Sequence, residues 1–106
     1  MEIVYIRDNK NIPRTCVAID CSGEQNLVIA TSTCHDKDQC VKAIGRAKAI
    51  GRLNSVKYQI RVPRKIVGSF SPENLFREAG VKMHTISNDS YNRFSRVLMD
   101  CASKVK

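Results

Sequence analysis

The stretch EIVYIRDNKNIPRTCVAIDCSGEQNLVIATST, Glu2 to Thr33, decides the fold class. Residues 2–7 (EIVYIR) are β-branched and aromatic, and predict a strand. Residues 8–13 (DNKNIP) carry turn chemistry, with Pro13 unable to donate to a ladder. Residues 14–20 (RTCVAID) predict a second strand, CSGEQ turns around Gly23, and residues 27–33 (LVIATST) predict a third. Connections this short favour antiparallel hairpins. The strands are apolar at consecutive positions, as in Ile3, Val4, Tyr5 and Ile6, or Val17, Ala18 and Ile19. A sheet wetted on one face would alternate. Helices can cover one face of so small a sheet, and a second subunit is expected on the other, which predicts a homo-oligomer.

Downstream, the pattern predicts a helix over residues 36–53, with Asp36 as cap and Gln39 completing a capping box. At ~100° per residue, Cys40, Ala43, Ile44, Ala47, Ile50 and Gly51 fall within an arc of about 120°, the width of a core-facing stripe. The segment also holds a near-duplication, KAIGRAKAIGR, from Lys42 to Arg52. Lys42 and Arg46 share one flank, Lys48 and Arg52 the other, and only Gly45 and Ala49 lie between them on the side expected to face outward. Such a bare strip admits another helix or a ligand phosphate. An ordinary solvated helix, with Gly45 permitting tight packing, accounts for the same pattern.

Residues 56–62 alternate, Val56, Tyr58, Ile60 and Val62 against Lys57, Gln59 and Arg61, and predict a half-buried strand with a basic outer face, ended by Pro63. A short helix is expected over 72–79, with Ser71 as cap, Pro72 first and Gly80 as stop. The extended piece KMHTI (82–86) leads to a final helix over 89–102, with Tyr91, Phe94, Leu98 and Cys101 on one face. The expectation is one α+β domain over 1–106. It has a small antiparallel sheet, three N-terminal strands plus one after the first helix, packed with a basic amphipathic helix and a C-terminal helix.

Composition bounds the function. The chain has 106 residues, 18 Lys or Arg against 10 Asp or Glu, and a net charge of +8, with 42% hydrophobic residues. That excludes a disordered tail, and no apolar run approaches the ~20 residues of a membrane span. The N-terminus lacks a basic region followed by an apolar stretch, so no secretory leader is expected. Between Asp38 and Glu73 there is no acid, while Lys42, Arg46, Lys48, Arg52, Lys57, Arg61, Arg64 and Lys65 crowd the interval. A localised excess points to an anionic partner.

Five cysteines, Cys16, Cys21, Cys34, Cys40 and Cys101, form no C-x-x-C pair. Cys34, His35 and Cys40 offer three zinc ligands without a fourth, so no metal is expected. The thiols read as reduced and structural, in an intracellular protein. No nucleophile or general acid stands out, and His35 beside Asp36 and Asp38 reads as helix-start polarity. The chain is expected to be no enzyme, without catalytic residue or cofactor.

The run ATSTCHDKDQCVKAIGRAKAIGRL, 24 of the 106 residues, carries a strand ending at Cys34 and His35 with Asp38 following, then Gly45, Ala49 and Arg52 on a helix. This resembles small phage-encoded proteins, and among them the Thoeris anti-defence sponges of the first type. The resemblance implies a multimeric α/β protein, dimer or higher up to hexamer. It would sequester a cyclic ADP-ribose isomer or cyclic oligonucleotide immune signal without cleaving it, in the cytoplasm of an infected bacterial host. It also implies pockets with Arg for phosphates, an aromatic for adenine and amides for base or ribose edges. Candidate ligand residues are then Lys42, Arg46, Lys48, Arg52 and Arg61 for phosphate, Phe70 and Tyr91 for stacking, and Asn92 for a hydrogen bond. For Phe70, Tyr91 and Asn92 a packing or surface role fits as well. The alternative is a basic phage protein that binds nucleic acid or inhibits a CRISPR effector. Against it, the basic third has few aromatics, Tyr58 (facing inward by the alternation) and Phe70, and no nucleic-acid-binding motif.

Overall fold

The computed structural model describes residues 1–34, 40–65, 73, 76–77 and 85–103. Four strands, β1 (Glu2–Arg7), β2 (Pro13–Asp20), β3 (Asn26–Thr33) and β4 (Ile60–Pro63), form one antiparallel sheet in the order β1-β2-β3-β4. Helix α1 spans Lys42–Leu53 and helix α2 spans Asn88–Ser103. The first three strands and the last helix lie within a residue of their expected bounds. The fold is α+β, as the strand and helix patterns predict.

The hairpins set the register. Val4 pairs with Val17, which pairs in turn with Thr31, so side chains along one row of the sheet share a face. In the β1–β2 turn, the Asp8 carboxylate accepts the N–H groups of Lys10 and Ile12 at 2.9 Å each. Asn11 takes a positive φ of 65° there, a region Asn tolerates better than most residues.

Consecutive apolar residues in the strands serve two cores. Val4, Ile6, Val17, Ile19, Leu27, Ile29 and Val62 face Phe76, Ile86 and the α2 residues Phe94, Leu98 and Cys101. On the opposite face, Cys16, Ala18 and Ala30 meet Ala49 and Leu53 of α1, with Ile3, Tyr5 and Val28 at the margin. Each face of the sheet is thus covered by a helix of the same chain, which removes the expected need for a second subunit to cover it.

Three local expectations are corrected. Helix α1 begins at Lys42, after Val41 in extended backbone (φ −105°, ψ 121°) that contributes no side-chain cap. The cap and capping box assigned to Asp36 and Gln39 lie outside the described residues. Second, residues Val56–Tyr58 form a 3-10 turn instead of a strand. Among the described residues, β4 pairs along Asn26–Ile29, and its ladder starts at Ile60. Gln59 is also pulled towards α1, its Nε2 donating to Leu53 O at 2.7 Å. Val56 and Tyr58 are therefore 75% and 52% exposed, and Tyr58 does not face inward.

Third, α1 is turned over. Gly45 and Ala49 meet the sheet, whereas Ala43, Ile44, Ala47 and Gly51 are exposed and Ile50 is half-buried. The sheet beneath presents only Cys16, Ala18 and Ala30, so small residues allow a close approach. The helix is tied at both ends. A disulfide joins Cys34, just past β3, to Cys40, and Arg52 Nη1 donates to Thr31 O at 2.8 Å. With both ends held, the facet available to the sheet is Gly45–Ala49–Leu53. Of the expected short helix, Glu73, Phe76 and Arg77 are helical; its other residues lie outside the described ones.

Candidate functional site

Three strands and a helix start converge on one side of the sheet. β1 contributes Tyr5, β2 contributes Pro13, Arg14 and Cys16, and the end of β3 contributes Ser32 and Thr33. The chain returns through Cys40 and Val41, and the first two turns of α1 add Lys42, Ile44, Gly45 and Lys48. Together they line an open pocket of about 260 Å³, with the Cys34–Cys40 disulfide in its wall. Ligand pockets for drug-sized molecules run from roughly 300 Å³ upward, so this volume suits part of a nucleotide, such as a phosphate with its sugar.

Among the described residues, the lining contains no carboxylate. Lys42 Nζ stands 5.1 Å from the centre of the Tyr5 ring, which orients the ammonium beside an aromatic wall. Arg14 is held from below by Asp8, Nε to Oδ2 at 2.8 Å. Burial by itself would push the Asp8 carboxyl up. The N–H groups of Ile12 and Lys10 and the Arg14 guanidinium outweigh it and hold the carboxyl below its ordinary value. Arg14 therefore brings a fixed donor geometry, and Lys42 and Lys48 bring charge.

The backbone adds to this. The first turn of α1 has no acidic residue and its N-cap Val41 makes no side-chain cap bond, so among the described residues the positive end of the helix dipole lies beside the pocket. Ser32, 5% exposed on the pocket wall, makes no side-chain hydrogen bond among the described residues. Cys16 lies beneath Gly45, a Cβ at Gly45 standing 3.6 Å from Cys16 Cβ. Burial pushes its thiol up, against the nearby charge of Arg46.

The disulfide corrects the reading of the cysteines as uniformly reduced thiols. Cys34 and Cys40 lie 5.8 Å apart at Cα and are bonded, whereas Cys16, Cys21 and Cys101 are thiols. The spacing of six residues carries no disulfide signature; the return of the chain from β3 to α1 brings them together. Both sulfurs are thereby withdrawn from zinc. Among the described residues, no group of three or more His, Cys, Asp or Glu is placed to hold a metal ion.

Of the residues singled out in the sequence, Lys42 and Lys48 line the pocket. Arg46 is exposed on α1 beside Cys16 but outside the lining. Arg52 stands at the far end of α1, and Arg61 is exposed on β4 opposite Val28. Phe70 lies outside the described residues. Tyr91 packs into the core on the α2 side, its ring 6.5 Å from that of Phe76. Asn92 is exposed on the same helix. The structure does not bring Tyr91 or Asn92 to the pocket.

Arg64, counted in the basic run, is structural. Its guanidinium donates to the carbonyls of Gly23, Cys21, Cys101 and Ala102. Sequence reasoning missed Tyr5, Arg14 and Ser32. The only available signal was the strand alternation that puts Tyr5, Cys16 and Ser32 on one face.

A second cluster lies where α1 runs into the 3-10 turn. The exposed Tyr58 ring has Arg52 Cζ 5.7 Å and Lys57 Nζ 5.6 Å from its centre. Among the described residues, no helix is long and apolar enough to cross a membrane. No protein-family model, no curated protein and no solved structure matches the chain.

Proposed function

We propose that this chain is a binding protein that captures a small anionic nucleotide-type ligand in the α1 pocket and holds it without cleaving it. The observation that supports this best is the pocket itself: Lys42, Lys48 and Arg14 with no acid among the described lining residues, an aromatic ring at Tyr5, and a helix start whose N-cap Val41 offers no side-chain cap. The pattern suits a phosphate, since cations, a helix start and an Arg held in place by Asp8 border one pocket. The resemblance to the Thoeris anti-defence sponges extends the reading. The ligand is then a cyclic ADP-ribose isomer or cyclic oligonucleotide, sequestered for immune evasion by a phage protein in the cytoplasm of its bacterial host, as a homo-oligomer. With the cysteines partly oxidised, the cytoplasmic placement rests on the resemblance alone.

The test is capture and release. Purified protein is incubated with cyclic ADP-ribose isomers and cyclic oligonucleotides, then heat-denatured, and the released small molecules are identified. Intact ligand in stoichiometric amount supports the reading, and its loss in the Lys48→Ala variant places the site. Altered product would indicate an enzyme.

A second reading is favoured by Tyr58. Exposed aromatic rings flanked by cations serve as stacking platforms for single-stranded nucleic acid. Binding of single-stranded DNA or RNA that weakens steeply with salt and is lost in Tyr58→Ala would select this reading over small-ligand capture.

A further inference from the structure

Helix α1 carries its apolar stripe on the wrong side for a finished surface. Ala43, Ala47 and Gly51 recur every four residues along its outer face. Beside them Ile44 is 55% exposed and Val41, just before the helix, 45%. A Cβ at Gly51 would meet nothing within 4 Å, so no segment of the described chain approaches that face there. At ~100° per residue, Arg46 borders the stripe on one side and Lys48 on the other, each roughly a quarter-turn or slightly more from its centre. No acid lies anywhere between Asp38 and Glu73 to balance them.

We infer that this face docks an acidic amphipathic helix of a partner protein. The occupant needs a small or apolar stripe to lie on Ala43, Ala47 and Gly51, and Asp or Glu on both edges to meet Arg46 and Lys48. Small residues let two helix axes approach to the near end of the usual range of about 8–10 Å. At that separation the edge charges pair, as flanking positions do in coiled coils. A second copy of this chain satisfies the stripe but sets Arg46 and Lys48 against the same cations. Nucleic acid satisfies the cations and leaves the stripe against a phosphate backbone. A lipid surface calls for Leu, Phe or Trp on the apolar face, and this stripe has Ala and Gly. The surface adjoins the pocket, whose lining includes Val41, Ile44 and Lys48, but Ala43, Arg46, Ala47 and Gly51 do not line it.

The experiment uses the whole chain and a synthetic helical peptide with a Leu and Ala stripe and Glu on both edges, followed by fluorescence anisotropy. Binding is expected, with a loss of about tenfold or more in Ala47→Glu and in Arg46→Glu, both outside the pocket lining, and none with a peptide carrying Lys in place of Glu. Circular dichroism checks that Ala47→Glu folds, as its exposed position implies. Any of three results overturns the inference. The first is no binding of the Glu peptide. The second is a dimer of the chain alone, in sedimentation equilibrium, that Ala47→Glu dissociates. The third is binding to duplex DNA or phosphatidylserine vesicles that Ala47→Glu abolishes while the peptide stays unbound.

Discussion

Arg64 Nη1 donates to Cys101 O at 2.6 Å, and the same guanidinium reaches Ala102 O at 3.1 Å. The residue just after β4 thereby satisfies carbonyls at the C-terminal end of α2, which the helix itself leaves without partners. Its other nitrogens hold Gly23 O and Cys21 O in the β2–β3 turn. One cation ties the sheet edge, a hairpin and a helix end together.

Arg64→Ala should therefore destabilise the fold by about 2–3 kcal/mol, because several charge-assisted bonds are lost at once. Urea unfolding followed by circular dichroism measures it. Arg64→Lys should recover only part of the loss, since an ammonium cannot span four carbonyls as a planar fork does. An unchanged midpoint in Arg64→Ala would remove the proposed tie.

The two glycines of α1 should respond differently to size. Gly51→Ala meets open space and should stabilise by about 1 kcal/mol through helix propensity. Gly45→Ala makes an ordinary contact with Cys16 and should be tolerated. Gly45→Leu must lift the helix from β2 and β3 and should cost about 2 kcal/mol. Thermal or urea unfolding of the three variants distinguishes a helix facing the sheet through Gly45 from one facing it through Ala47.

Oxidation state is readable by thiol counting. Under native, non-reducing conditions a thiol reagent should find Cys21 first, because Cys16 and Cys101 are buried and burial pushes the Cys16 thiol up. Unfolding without reductant should expose three thiols, and five after reduction. Reduction removes a short loop constraint and should lower stability by about 2 kcal/mol. Cys34→Ser should reproduce that loss and make the protein indifferent to reductant.

Acid should act partly through Asp8. Its folded-state carboxyl lies below the ordinary value, so ionised Asp8 favours the native state. That contribution is fully present above the unfolded-state value, near 3.8, and is lost as pH falls through the lower folded-state value. Urea midpoints measured from neutral pH down into the acid range should fall more steeply for the native protein than for Asp8→Asn. The variant should be the less stable of the two at neutral pH, and the curves should converge in acid.

Much of the fold was legible because its signals are local. Three β-branched runs separated by turn residues specify hairpins, and consecutive apolar residues require burial on both faces of a sheet. The periodicity of Tyr91, Phe94, Leu98 and Cys101 marks the buried side of α2. The charge excess is likewise countable in one line, from Lys42 to Lys65.

What only the tertiary structure decided is where those residues point. Periodicity gives α1 two faces but not the one that meets the sheet. The small side chains of Cys16, Ala18 and Ala30, the disulfide at Cys40 and the reach of Arg52 to Thr31 turn Gly45 and Ala49 inward. The alternation at 56–62 describes a strand equally well, yet without neighbours in the ladder Tyr58 turns out to solvent. The pocket is non-local for the same reason: Tyr5, Arg14, Ser32 and Lys42 meet only after three strands have paired. Amphipathic spacing is a property of one element, whereas the choice of its buried face depends on the volume and ties offered by the others.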